Sequence, residues 1–344
     1  MRKLLLAAII SLIAAPFTPF TASAQSEKPN RMTLHYKNGE KQTFNLAELD
    51  YMEFDHVDIP DPTPEPPKVG DYFYSDGTWS DGGLVSIDPD GCNAVWSATK
   101  PAPVEGKTVI GIVFSTNPDR MDEADKEAGF THGYVIACKN IQDPKKSNFA
   151  QYPETVWYSG QYATVDCIKV SKVARTCHGN LAGRQETATL IAKNDPQYYH
   201  EDLPMFYYGT MEYPVEAPAN TSGWFIPSVG QMWDCVANFC SGEVAAFLAE
   251  NTDNGSDFTY GVSKQCANDV PFEKFMEAFS LVPDADKDEM TIPDGTNYMS
   301  LATSSRYDTE SRVIFNLGMN GNTLIEGMAG WFDEEVHARP VLAF

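Results

Sequence analysis

Apolar residues between Ser228 and Cys240 recur at Val229, Met232, Trp233, Val236, Ala237 and Cys240, the stripe of an amphipathic helix. Ser228 stands at the N-cap, and Gln231 three residues later can reach back to its N–H, a capping box. The run Trp224-Phe225-Ile226 ahead of Pro227 is extended, so the stretch predicts a strand-to-helix corner in the core. Continuous apolar runs at Thr108–Phe114 and Gly133–Cys138 predict buried strands. Val69–Ser80 predicts an aromatic strand, a Ser-Asp-Gly turn and a second short strand. Helical patterns cover Glu186–Asn194 and His200–Met211, the latter with Pro204 inside it, and Gly242–Glu250 continues or restarts the central helix. Asp269-Val-Pro-Phe272 opens another helix with proline in its first turn. Arg312–Leu317, Thr323–Ala329 and Val336–Phe344 predict a closing antiparallel sheet, preceded by an acidic loop over Val282–Asn297.

The front of the chain has a different pattern. Met32–Tyr36 alternates apolar and polar residues, Asn38-Gly39 is a two-residue hairpin signal, and Gln42–Leu46 is the return strand. With a third strand at Tyr51–Phe54, residues 25–57 form a small β-hairpin module. Residues 58–68 are an acidic, proline-rich run, extended and semi-rigid, whose job is spacing. Arg2-Lys3, the apolar Leu4–Ala15 and Ala22-Ser-Ala24 make a leader over residues 1–24, with cleavage expected after Ala24. Its apolar core is too short for a membrane span. The mature chain is therefore expected to be exported, to the periplasm, the outer surface or the medium, with residues 69–344 as its large domain.

Charge narrows the partners. A formal net charge of −23 repels phosphate backbones and anionic lipid, which disfavours nucleic acid. With 42% apolar and 12% aromatic residues, the chain can build a sizeable core without staples. Its seven cysteines are spread thinly with no C-x-x-C, so most read as small buried hydrophobes, with a Cys167–Cys177 bridge left open.

Several short segments line up in order with one family. Val69–Trp79, Gly111–Phe114, His132–Val135, Gly223-Trp-Phe-Ile-Pro-Ser228, Thr303-Ser-Ser305 with Tyr307-Asp308, and Arg339-Pro-Val-Leu-Ala-Phe344 resemble the exported Lcl C-terminal-type domains. Those are related to C-type-lectin-fold variable proteins and to the sulfatase-modifying fold. The resemblance covers about residues 69–344. It implies an α+β, C-type-lectin-like domain, a twisted and mainly antiparallel sheet with two flanking helices and paired chain ends, on a surface protein of Gram-negative bacteria. The ligand face of such folds is often built just before the C-terminal strand.

Candidate chemistry favours binding over catalysis. Neither a G-x-S-x-G elbow nor an H-E-x-x-H pair occurs, and the six histidines are scattered. Asp284–Asp288 imitates the start of an EF-hand loop, but Glu289 stands where glycine is required and Gly295 where glutamate is. Neither a metal nor a cofactor is expected. Arg339 reads as a buried residue in a structural ion pair. Ser304, Ser305, Arg306, Asn316, Asn320, Asn322 and Trp331 supply hydroxyls, amides, a cation and an indole, a set suited to sugars or peptide backbones. The alternative is that Trp331 packs on the sheet and the Asn/Gly residues only make a turn. The leading expectation is a non-catalytic surface protein that binds glycan or protein. The alternatives are a structural subunit of a surface fibre, with the N-terminal module polymerising, and an enzyme of the sulfatase-modifying type using paired cysteines for copper.

Overall fold

The computed structural model describes residues 31–35, 39–45, 65–144, 165–258, 262–290, 297–332 and 336–344. The leader, the third strand at Tyr51–Phe54, most of the proline-rich run and Gly295 lie outside the described residues. The chain divides into two compact units, Met1–Glu65 and Pro66–Phe344.

In the smaller unit β1 (Arg31–His35) pairs antiparallel with β2 (Lys41–Asn45), and Thr33 meets Thr43 hydroxyl to hydroxyl at 3.0 Å. His35 pairs with Lys41, which leaves five residues between them and is incompatible with the expected two-residue turn. Gly39, at φ +85°, occupies the left-handed region that glycine tolerates at no steric cost.

The larger unit is α+β. Its strands are β3 (Tyr72–Tyr74), β4 (Trp79–Ser80), β5 (Leu84–Ser86), β6 (Val95–Trp96), β7 (Val109–Ser115), β8 (Tyr134–Ala137), β9 (Val262–Gln265), β10 (Tyr298–Arg306), β11 (Ser311–Gly318), β12 (Leu324–Trp331) and β13 (Val341–Ala343). One sheet runs β13-β8-β7-β3-β4 and another β10-β11-β12-β9, all pairs antiparallel, beside a β5-β6 ribbon. The helices are α1 (Glu123–Glu127), α2 (Ala174–His178), α3 (Gly183–Lys193), α4 (Tyr199–Asp202), α5 (Pro204–Thr210), α6 (Val229–Cys240), α7 (Gly242–Glu250) and α8 (Pro271–Glu277). The expected single helix at His200–Met211 is broken between α4 and α5. Leu203 before Pro204 is held at φ −133°, ψ 51°, because the proline ring disfavours helical backbone in the residue ahead of it.

Helix α6 is the axis of the core. Ser228 and Gln231 form the expected capping box, with Gln231 Oε1 accepting the Ser228 N–H at 2.9 Å. All twelve residues are buried, not only the apolar stripe, because the polar face finds specific partners. Asp234 takes both oxygens to Arg120 Nε at 2.9 and 3.1 Å, and Asn238 Nδ2 donates to the Phe114 carbonyl at 2.9 Å. Trp233 packs tilted against Phe258 and edge-to-face with Phe315, and Phe239 tilted against Phe275 and edge-to-face with Phe279. The mid-chain corner and the closing strand meet directly: Phe225 and Val341 exchange two backbone hydrogen bonds of 2.8 Å.

Two sequence expectations change here. Arg339 is buried, but its partners are Asn140 Oδ1 and the Asp288 carbonyl, each at 2.8 Å, with the guanidinium 4.5 Å from the Phe279 ring centre. It is held by neutral acceptors and an aromatic face rather than by a carboxylate. Cys167 and Cys177 pack against different hydrophobic clusters and are not joined to each other, so the open bridge is not made.

Gly230, in the first turn of α6, has no room for a side chain. A Cβ there would meet the carbonyl oxygens of His178 and Asn180. Replacing a helical glycine by alanine stabilises an unconstrained helix by about 1 kcal/mol. At Gly230 we expect the opposite sign, a loss of roughly 1–3 kcal/mol from overpacking. Urea unfolding of Gly230→Ala against the parent protein reads the sign directly.

Candidate functional site

A cluster of buried polar groups in the larger unit converges at the N-terminal turns of α3 and α6. In α3 the buried positions are Gly183, Glu186, Thr187 and Leu190, so Glu186 occupies a core-facing place of the helical stripe. Gly183 lets this turn rest on α6, since a Cβ there would meet Gln231 Oε1 and the Ser228 N–H. Strand β10 changes register against β11 between Ala302 and Arg306, and this irregularity releases Ser304 and Ser305 from regular pairing. Both hydroxyls donate to Glu186 Oε2, at 2.6 and 3.1 Å, while Asn180 Nδ2 donates to Oε1 at 2.8 Å. Ser305 Oγ also accepts the Val229 N–H at 2.9 Å, and Ser228 Oγ donates to the Asn180 carbonyl at 2.7 Å.

In front of Glu186 lies a cavity of about 630 Å³. Asp122, Lys126, Ser171, Asn180, Gln185 and Thr189 are among the residues that line it with Glu186. Its opposite walls are cross-linked: Arg184 of α3 reaches Asp125 of α1 and donates to the Ala124 carbonyl at 2.8 Å. Tyr134 from β8 donates to Asp125 Oδ2 at 2.8 Å and accepts the Asp122 N–H at 2.9 Å. Asp122 caps α1 through the Ala124 N–H at 3.0 Å. A second cavity of about 630 Å³ lies between the start of β7 and the loop 214–219, with Lys139, Glu216 and Asp286 on its wall.

Burial pushes the Glu186 carboxyl above the usual glutamate range, even though Asn180, Ser304 and Ser305 donate to it. Burial also raises Asp122, with the neighbouring Asp125 and Glu123 adding to it. Cys167 lines the cavity, and burial pushes its thiol up, which disfavours the thiolate form. The EF-hand-like acids point elsewhere: Asp286 accepts the Val109 N–H at 3.1 Å and Asp288 the Asn140 N–H at 3.0 Å. Among the described residues no group of three His, Cys, Asp or Glu side chains is placed to hold a metal ion.

The seven residues expected to make one ligand face are not brought together. Ser304 and Ser305 are buried behind Glu186, as supports of the cavity floor. Arg306 is buried, donating to the carbonyls of Asp308 and Val165 at 2.6 and 3.2 Å. Asn316 sits in a cross-strand ladder, accepting from Ser300 Oγ at 2.7 Å and donating to Glu326 at 3.1 Å. Asn320, at φ +52°, and Asn322, bonded to the Asn297 carbonyl at 2.9 Å, shape the β11–β12 turn. Trp331 is 60% exposed at the far end of β12, roughly 23 Å along the strand from that turn at about 3.3 Å per residue. It lines neither of the two cavities. The groups that line the cavity, Glu186, Asn180, Gln185 and Asp122, were missed. A carboxylate at a core position of the α3 stripe was the available signal.

No family model and no curated protein matches the chain. Among solved structures, a fimbrial protein from Bacteroides ovatus ATCC 8483 aligns with a TM-score of 0.42 at 15% identity. The alignment covers 91% of this chain and 57% of that one, a likeness too distant to assign fold or function. No helix among the described residues is long and apolar enough to cross a membrane.

The raised carboxyls set a pH dependence. Burial lifts Asp234 and Asp71 to about 6 and lifts Glu186 in the same direction. The folded state then holds protons that the unfolded chain has released, so unfolding free energy falls as pH rises from about 4 through 6. Glu186→Gln keeps a neutral group in place and should flatten that fall, as urea unfolding between pH 4 and pH 8 would show. An unchanged slope would mean that Glu186 titrates like an exposed glutamate.

Proposed function

We propose that this chain is an exported, non-catalytic protein of the cell surface that binds its partner through the cavity in front of Glu186. The single observation that carries the reading is that cavity, whose walls are locked in advance by Arg184, Tyr134 and the Asn180–Ser304–Ser305 cluster. A preformed polar cleft with a few converging groups is the usual form of a ligand site. The non-catalytic part is supported by the cysteines. Burial lifts the thiols of Cys92 and Cys138 to about 12 and raises the other five as well, which disfavours both thiolate attack and thiolate metal ligation.

A C-type-lectin-like architecture for the larger unit is part of the proposal. It is supported by the pairing of the mid-chain corner with the closing strand at Phe225 and Val341. Export is supported by the leader-like residues 1–24 and the proline-rich spacer that follows the small module.

The test is a glycan-array and surface-extract screen of the chain from Gln25 onward, repeated with Thr189→Trp, which fills the cavity from the half-buried face of α3. A partner captured by the parent and lost by Thr189→Trp supports the reading. Capture unaffected by Thr189→Trp moves the site elsewhere. Deletion of residues 25–60 addresses the fibre-subunit alternative, for which loss of self-assembly with cavity binding intact is the expected result.

A further inference from the structure

Three Asn-Gly pairs occur in the chain: Asn38-Gly39, Asn254-Gly255 and Asn320-Gly321. A following glycine has no Cβ to shield its nitrogen, so the asparagine amide is open to attack by its own backbone. Asn38 lies outside the described residues. We propose that Asn320-Gly321, at the β11–β12 turn, is a site of covalent self-modification, where Asn320 deamidates to isoaspartate and aspartate while Asn254 is held back by the fold.

The step needs only the chain and water. Gly321 N gives its proton to solvent hydroxide and bonds to Asn320 Cγ. Nδ2 takes up a proton and leaves as ammonia, which closes a succinimide between the two residues. Water then opens the ring. Cleavage of the bond from N to Cγ restores the ordinary backbone with aspartate. Cleavage of the bond from N to the main-chain carbonyl carbon routes the chain through Cγ, giving isoaspartate. Nothing is oxidised or reduced.

Access alone does not separate the two described pairs, since Gly255 and Gly321 both stand in open space, with nothing within 4 Å of an added Cβ. Hydrogen bonding does. Asn254 Nδ2 donates to Asn251 Oδ1 at 2.7 Å, and its Oδ1 accepts the Ser256 N–H at 2.8 Å. The backbone on either side is tied to the start of α2: the Asn254 carbonyl accepts the Arg175 N–H and the Ser256 carbonyl the Ala174 N–H, each at 3.0 Å. Bringing Gly255 N onto Asn254 Cγ would break these contacts. Asn320 and Gly321 are both exposed, and neither the Asn320 side chain nor the peptide between them makes a hydrogen bond among the described residues. Their fixed feature is the turn itself, with φ at +52° and +83° and the Asn322 N–H on the Met319 carbonyl at 2.9 Å.

That turn makes the modification consequential. Positive φ at both central residues is the signature of the two-residue type I′ hairpin, whose geometry sets the pairing of its strands. Isoaspartate adds a methylene to the backbone there, and either product adds a carboxylate.

The test is peptide mapping by mass spectrometry of the chain from Gln25 onward, held folded at pH 6 and at pH 8 and, in parallel, unfolded in urea. In the folded protein Asn320 should gain one mass unit, faster at pH 8 because Gly321 N must lose its proton, with isoaspartate among the products. Asn254 should react at least about five-fold more slowly, the factor expected when even one hydrogen bond must be given up. In urea the two rates should converge. Asn254 reacting as fast as Asn320 in the folded protein, or Asn320 unchanged there while it reacts in urea, overturns the proposal. A five-fold gap that persists in urea overturns it too, because the fold would not be its cause.

Discussion

The N-terminus of α6 is the joint on which the larger unit depends. Three parts of the chain deliver polar groups to it: Ser228 and Gln231 of the cap itself, the Asn180 carbonyl from the turn before α3, and Ser305 from the irregular stretch of β10. A helix start leaves its first N–H groups without partners inside the helix, and burying them unpaired would cost about 1–3 kcal/mol each. Here they are met by partners from across the chain, so the helix can lie wholly inside the protein. Gly183 and Gly230 make the joint close enough to work, because any side chain at either would hold the turns apart.

The cavity is a consequence of that joint. Ser305 serves both sides of it, accepting from the Val229 N–H and donating to Glu186. The carboxyl is thereby fixed in orientation by groups that belong to the core rather than to a mobile loop. A buried acid kept in place by three donors is a high-stakes arrangement, since each unmet bond would count strongly in a low-dielectric setting.

A similar logic holds on the far side of α6. Asp234 and Arg120 are 114 residues apart, and Arg120 also donates to the His178 carbonyl at 2.9 Å. The ion pair lets a charged position of the helix stay buried at 2% exposure. Such a pair adds little net stability once desolvation is subtracted, but removing one partner would leave an uncompensated charge.

Local rules determined a good part of this protein from sequence alone. The capping box, the central helix, the apolar strands at Val109–Ser115 and Tyr134–Ala137 and the closing hairpin of β11 and β12 follow from periodicity and short-range hydrogen bonding. Those signals act within one turn or one strand, so the residues concerned carry them wherever the chain goes. Tertiary structure alone decided that the polar face of α6 is buried, that Ser304 and Ser305 turn inward, and that Glu186 backs a cavity. Serine, asparagine and aspartate look the same in sequence whether they meet water or a partner more than a hundred residues away. Only the packing of distant elements settles which of the two they meet.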